Sequence, residues 1–368
     1  MTLILVVVLI ALAFEYINGF HDTANSIATV VSTKVLTPRQ AVVLAASTNL
    51  VGALWGTAVA KTIASGLIDG RVVSQEILVC ALAAAIVWNL ATWYWGLPSS
   101  SSHALIGGLV GAAVAAAHGW HVVIWSQPDA NHWYQGKGLL WKVFVPMVSS
   151  PLAGFAIGML VMGLLYFLLR NWKPRLVNAV FGKAQMVSAA GMGFMHGTND
   201  AQKTMGIIAL ALAAGTADGS LAELPGWLSF LRTASPTPGV DLEIALWIKI
   251  VCAVVMAAGT AAGGWRIIKT LGHKMVRLQP VHGFAAETTS ATVIGIASHF
   301  GIPVSTTHIA SAAIMGVGAA KRFSAVRWTV IEKMIWAWIL TIPVTAIIAY
   351  ALVRALQWFG MMPSAIAQ

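Results

Sequence analysis

Two nine-residue segments set carboxylates, amides and imidazoles inside runs that are otherwise apolar: Asn18-Gly-Phe-His21-Asp22-Thr-Ala-Asn25-Ser26 and His196-Gly-Thr-Asn199-Asp200-Ala-Gln202-Lys203-Thr204. An ionised carboxylate at membrane depth costs about 3 kcal/mol or more unless it meets a cation or a wet cavity. Asp22 and Asp200 are therefore the first candidates for holding cations. Asn25, Asn199 and Gln202 lie beside them and offer amide oxygens of the kind a hard cation takes. Each segment has a Gly three residues before its Asp. The helices that carry them are predicted to be broken there, because unwound backbone survives at that depth only against protein or a cavity. Two further tracts, Gly96-Leu-Pro98-Ser99-Ser100-Ser101-Ser102-His103 and Gly301-Ile-Pro303-Val-Ser305-Thr306-Thr307-His308, bring neutral hydroxyls. Pro98 and Pro303 suit the first position of a helix, and the hydroxyls after them suit its cap. Helix N-termini favour anions. Ser99, Ser100, Ser101, Ser102, Ser305, Thr306 and Thr307 can thus hold a tetrahedral oxyanion without a fixed Arg, although some of them must be caps alone.

The remaining ionisable groups in apolar runs admit two readings. Glu15 and Glu287 are either coupling groups or structural partners of a buried donor. His21, His103, His196 and His308 are either proton carriers or hydrogen-bonded core residues. Lys203 alone among the Lys and Arg sits well inside an apolar run, where it pairs with Asp22 or Asp200 or contacts the anion. It stands at the position that Asn25 holds in the first segment. Lys has three donors and no acceptor, so it cannot coordinate sodium, and its fixed charge in place of a cation favours protons as the coupling ion. Cys80 and Cys252 have no second pair and lie in apolar runs, as packing residues would.

Only a bilayer accounts for the elements that must position these groups. Of 368 residues, 58% are hydrophobic and 9% charged, too few charges to solvate a water-facing surface. Apolar passes are predicted at 3–31, 41–62, 75–96, 97–118, 139–169, 184–214, 241–263, 281–300, 304–320 and 334–357, each on the scale of a hydrocarbon core. The first reads as a retained helix, since it runs on into Glu15 without a basic leader. The net charge of +10 is spread over short loops and does not indicate nucleic acid. Alternate loops put fourteen of the 22 Lys and Arg on one face and seven on the other, which makes the richer face cytoplasmic and sets both termini outside. The loop 216–240, with Asp218 and Glu223, then lies outside, as does the loop around His118, His121 and His132. Trp120, Trp125, Trp133, Trp141 and Trp172 fall near pass ends, as an aromatic belt would. The basic segment 265–277 is amphipathic and is predicted to lie on the cytoplasmic surface.

The sequence also repeats. The second Asp segment lies 178 residues after the first, and the second hydroxyl tract 205 residues after its counterpart, in the same order. Five passes separate the repeats, so the second half must run upside down relative to the first, the inverted-repeat plan of secondary transporters. The chain divides accordingly into a first repeat at 1–169, a basic cytoplasmic linker at 170–183 and a second repeat at 184–368, forming one all-α polytopic membrane domain.

Five ordered segments, Gly19 to Asn25, Gly96 to His103, His196 to Lys203, Ala286-Glu287 and Pro303 to His308, resemble the signature segments of the inorganic phosphate transporter (PiT) family, most closely its bacterial low-affinity members. The resemblance implies a secondary transporter of the bacterial inner membrane that moves inorganic phosphate with a coupling cation. That cation is sodium in some members and protons in the bacterial group, which carries metal–phosphate complexes. It also implies re-entrant helical hairpins at the two hydroxyl tracts, and it is compatible with a homo-oligomer. Many members have Asn-Asp-x-x-Asn in both halves, and Lys203 departs from that pattern. A proton symporter is the leading reading, ahead of a sodium-coupled symporter, a passive anion channel and an intramembrane metal-dependent enzyme. No G-x-S-x-G or H-E-x-x-H motif supports enzyme chemistry, and no cofactor is expected.

Overall fold

The structure, a computed structural model, describes residues 2–69, 72–127, 136–222, 224–233 and 243–362. His132, Trp133 and Glu223, assigned above to outer loops or the aromatic belt, lie outside the described residues. The elements in chain order are α1 (Thr2–Ser32), α2 (Pro38–Ala53), α3 (Ala58–Ser65), α4 (Gln75–Trp95), α5 (Ser101–Ala117), α6 (Val145–Leu168), α7 (Pro174–Ala217), α8 (Leu246–Ala262), α9 (Trp265–Lys269), α10 (Pro280–His299), α11 (Thr306–Ala319) and α12 (Trp328–Trp358). A wide π-type turn at Leu140–Phe144 leads into α6, and another at Thr270–Lys274 extends α9.

The exterior is oily and the interior polar, the reverse of a water-soluble domain. Leu9, Leu160 and Ile347 are about two-thirds exposed, whereas Glu15, Asp22, Asp200, Lys203 and Glu287 are at most 2% exposed. The protein is a multi-pass membrane protein. Four spans, Thr2–Ser32, Gln75–Trp95, Leu140–Leu168 and Trp328–Trp358, are each long and apolar enough to cross, and two bent helix pairs bring the total to as many as six among the described residues. With 17 and 14 residues, α5 and α11 reach about 26 and 21 Å. That falls short of the roughly 30 Å hydrocarbon core, so these two elements of the expected ten are too short to be full passes and suit hairpin limbs.

The predicted breaks at the Asp segments are not found. α1 runs unbroken through Asn18 to Asn25, and α7 runs unbroken for 44 residues through His196 to Lys203. The glycines of these segments serve close packing. A Cβ on Gly19 would meet the carbonyl of Met256 on α8, and one on Gly197 would meet the carbonyl of Asn49 on α2. Many of the polar side chains find partners on neighbouring helices, and the backbone stays helical. Breaks fall instead in those neighbours: α2 and α3 meet at a 69° bend around Gly56, and α8 and α9 at a 57° bend beside Gly263. Both glycines have positive φ (81° and 73°), which a residue with a Cβ adopts at a cost.

Three further expectations are corrected. Pro98 and Pro303 precede the helices by three residues and are not their first positions. The caps are Ser100 and Ser305, whose side chains accept from the backbone N–H of His103 (3.2 Å) and His308 (3.1 Å). The basic segment 265–277 is helical over 265–274 and amphipathic as expected, with Arg266, Lys269 and Lys274 exposed, but its apolar face, Ile267, Ile268 and Leu271, is buried against α1. The basic linker 170–183 is largely the start of α7, which begins at Pro174.

Packing partners recur between the halves. α1 packs on α8 and α4, and α7 on α2 and α10; α5 packs on α12, and α11 on α6. α5 and α11 are buried along their whole length, which places the two hydroxyl tracts at the centre of the molecule.

Candidate functional site

The starts of α5 and α11 meet between α1 and α7. Ser102 donates to the carbonyl of Val304 (3.1 Å), and the rings of His103 and His308 lie 4.9 Å apart, edge to face. On the unbroken α1, Asn18, Asp22 and Asn25 fall at i, i+4 and i+7 and share one face. His196, Asp200 and Lys203 do the same on α7.

Around Asp22, His21 Nδ1 stands 2.7 Å from Oδ1, the Ser101 hydroxyl 2.8 Å from Oδ2, and the Thr307 hydroxyl 3.2 Å from Oδ1. The same Ser101 hydroxyl is 2.6 Å from Asn18 Oδ1. One O–H cannot serve both acceptors fully, so the Asn18 and Asp22 oxygens compete for it. With its proton on Nδ1, His21 presents Nε2 as an acceptor toward the Thr92 hydroxyl (3.1 Å) and that of Ser99 (3.5 Å). Asn25 donates to Thr307 (2.9 Å) and Thr306 (3.3 Å), and its buried Oδ1 has no partner.

Around Asp200 the same pattern returns with one substitution. Thr306 donates to Oδ2 (3.0 Å) as Ser101 does to Asp22, and His196 Nε2 lies 2.9 Å from Oδ2. Lys203 takes the role of Asn25, because its ammonium donates to Ser102 on the opposite half as Asn25 donates to Thr307. That ammonium also donates to Asp200 Oδ1 and approaches the carbonyl of Val304 (3.4 Å). The two carboxylates converge: one oxygen each from Asp22 and Asp200 and a ring nitrogen of His196 lie within 4.8 Å of one another. Two carboxylates and an imidazole suit a dication of the first transition row as well as a harder cation. Every residue of this cluster is buried.

Other sequence candidates lie elsewhere. Gln202 accepts from the backbone N–H of Val59 (2.9 Å) and Ala60 (3.3 Å) and donates to the carbonyl of Trp55 (3.2 Å), which fastens the bend between α2 and α3. Asn199 donates to Ser298 Oγ (3.0 Å) and the carbonyl of Ile302 (3.2 Å), tying α7 to the α10–α11 turn. Glu15 accepts from Thr204, with its second oxygen buried and unpartnered. Glu287 forms a separate cluster with Thr29, Ser188 and Gln185 (3.1 Å). His308 stacks on Trp338 with ring centroids 4.2 Å apart. Ser100 and Ser305 are consumed as caps. Asn18 and Asn49 went unassigned in the sequence; Asn49 bridges His196 Nδ1 (3.2 Å) to the Thr260 hydroxyl (3.1 Å). Both are amides inside apolar runs, the signal that could have found them.

A polytopic helical protein with two helix starts, paired acids and neutral hydroxyls buried at its centre has the architecture of a membrane transporter. The chain belongs to the phosphate transporter family, whose profile matches residues 18–349. It is 43% identical over 364 residues to a protein of Mycobacterium tuberculosis (strain ATCC 25618 / H37Rv) described as "Probable low-affinity inorganic phosphate transporter", covering 99% of this chain and 80% of that one. Proteins with the same description from Bacillus subtilis and Rhizobium meliloti are 41% and 42% identical, each covered to 94%. Among solved structures, "The sodium-dependent phosphate transporter" superposes with a TM-score of 0.77 at 23% identity, covering 97% of this chain and all of that one, a likeness of fold. The family and these relatives are transporters and not enzymes.

Proposed function

We propose that this chain imports inorganic phosphate across the bacterial cell membrane as a symporter. Its two inverted halves, 1–169 and 184–368, alternate access to the central site with protons as the coupling ion. The observation that carries this reading is Lys203, whose ammonium lies on Asp200 and Ser102 where the first half has Asn25. Asp22 and Asp200 bring two negative charges and Lys203 returns one. Phosphate adds one or two more, and buried charge of one sign is not tolerated at that density. Cations therefore have to arrive with the anion, and with a fixed ammonium already at Asp200 we read them as protons on the carboxylates or imidazoles. Ser101, Ser102, Thr306 and Thr307 supply neutral donors to it, and Lys203 a charged one.

Two observations favour a second cation at the same place. Asn25 Oδ1 is buried and unpartnered beside Asp22, and the convergence of Asp22, His196 and Asp200 supports a divalent metal travelling with phosphate as cargo. The sodium dependence named for the similar structure makes sodium the competing coupling ion. The test is labelled-phosphate uptake into proteoliposomes with sodium replaced by choline, driven by an imposed pH gradient, with and without magnesium. Concentrative uptake that a protonophore abolishes is expected. Uptake that needs sodium and ignores the pH gradient overturns proton coupling, and uptake that never exceeds equilibration points to a channel.

A further inference from the structure

A second polar cavity, of about 560 Å³, opens between α3, the segment leading into α6, and the end of α10. Its lining includes Thr57, Lys61, Lys137, Lys142, His299 and Gly301, and no Asp or Glu is among the lining residues. The charge count along the chain leaves only seven Lys and Arg on this face, and three of them line this one cavity. Such clustering opposes the general trend of basic residues toward the cytoplasmic side and calls for a local cause. Lys142 is about nine-tenths buried and donates to the carbonyl of Phe300 (3.3 Å), which holds its ammonium at the cavity wall. Thr62 on α3 donates to the carbonyl of Gly301 (2.7 Å), closing α3 onto the α10–α11 turn. That turn also reaches the central site, because the carbonyl of Val304 accepts from Ser102 (3.1 Å) and is approached by Lys203 (3.4 Å). The turn therefore bonds to the wall of the basic cavity at Gly301 and to the buried cluster at Val304.

We propose that this cavity is an anion-capture vestibule: a second oxyanion subsite, with Lys137, Lys142 and His299 as its ligands, which loads the central site when the α10–α11 turn moves. The ligand chemistry is a phosphate group. A low-dielectric cleft lined by one sign of charge focuses its field and raises the local anion concentration, which lowers the external concentration needed to fill the site behind it. Lys137 and His299 are exposed at the rim, so the subsite is salt-sensitive. The assignment of phosphate rests on the transport function proposed above, but the binding itself does not require transport.

Two measurements test it. In maltoside detergent, acylation of Lys137 by a water-soluble N-hydroxysuccinimide ester, followed by peptide mass spectrometry, should slow when inorganic phosphate replaces chloride at equal ionic strength. In proteoliposomes, the double variant Lys137→Gln/His299→Gln should raise the apparent KM for phosphate about threefold or more at low salt with unchanged maximal uptake. The difference should fade as salt shortens the Debye length to about 3 Å near 1 M. Protection by phosphatidylglycerol but not by free phosphate overturns the proposal in favour of a lipid headgroup site. Unprotected Lys137 with an unchanged KM overturns it outright. If the parent protein fails to transport phosphate while phosphate still protects Lys137, the transport reading falls and the vestibule stands.

Discussion

Asp22 takes an imidazole and two hydroxyls, from His21, Ser101 and Thr307, and Asp200 takes an imidazole, a hydroxyl and an ammonium, from His196, Thr306 and Lys203, so the two carboxylates differ chiefly in the one fixed positive charge. Asp22→Asn or Asp200→Asn keeps the shape and removes the charge that the proposed coupling uses. Each is expected to lower initial phosphate uptake by about tenfold or more, the scale of one lost charge-assisted contact, with unchanged amounts of protein in the membrane by immunoblot. Near-normal uptake in both variants would remove these acids from the coupling role. The hydroxyls divide by position. Ser101→Ala/Ser102→Ala removes two neutral donors of about 1 kcal/mol each and should raise the apparent KM for phosphate by roughly tenfold or more, whereas an unchanged KM would leave them structural. Most of these residues were legible in the sequence by type alone, since acids and amides in apolar runs stand out. Their grouping was legible only once the helix was taken as continuous. Asn18, Asp22 and Asn25 share a face at i, i+4 and i+7, while Gln202 and Asn199 turn away from the corresponding face of α7; an expected break at these residues hides that period.

At the scale of elements, Ser100 and Ser305 cap α5 and α11 and touch nothing else in the site. Ser100→Ala should cost about 1 kcal/mol of stability, read as a melting temperature lowered by a few degrees in detergent, with the KM for phosphate unchanged. A KM shift as large as that of the Ser101 and Ser102 pair would show that the cap also contacts substrate. α7 offers a matched pair of glycines. A Cβ at Gly197 would collide with the backbone of Asn49, whereas at Gly191 it meets nothing within 4 Å. Gly197→Ala is therefore expected to cut folded yield by pushing α2 off α7, as overpacking does at about 1–3 kcal/mol, and Gly191→Ala to leave it intact. Equal yields would mean that α2 can shift freely. The apolar lengths and hydroxyl tracts announced the helices and the two central starts, but the breaks were misplaced. A Gly beside polar residues reads equally well as a hinge or as a contact surface, and only the neighbouring carbonyl decides between them. The true bends lie at Gly56 and Gly263, in runs with few polar residues to mark them.

Across the whole molecule, the two halves repeat each other's element order, packing partners and site bonds, and Lys203 is the one point in the cluster where charge differs between them. In the first half the imidazole of His21 lies on Asp22 beside the amide of Asn25; in the second an ammonium lies on the Asp. Lys203→Asn would restore in the second half the arrangement around Asp22 and leave Asp200 buried without its charge partner, a state that costs several kcal/mol unless another cation enters. Sodium fits an amide oxygen and a carboxylate where an ammonium cannot coordinate it. The parent protein is therefore expected to take up phosphate equally in sodium and in choline, and the Lys203→Asn variant to gain a severalfold stimulation by sodium. A ligand that binds only the folded state stabilises it by mass action, so the melting temperature of the detergent-solubilised variant should rise with sodium concentration while that of the parent stays flat. The thermal measurement stands even if the variant transports slowly. A folded variant that ignores sodium in both assays, or a parent that already responds to it, would show that Lys203 does not occupy the place of a coupling ion.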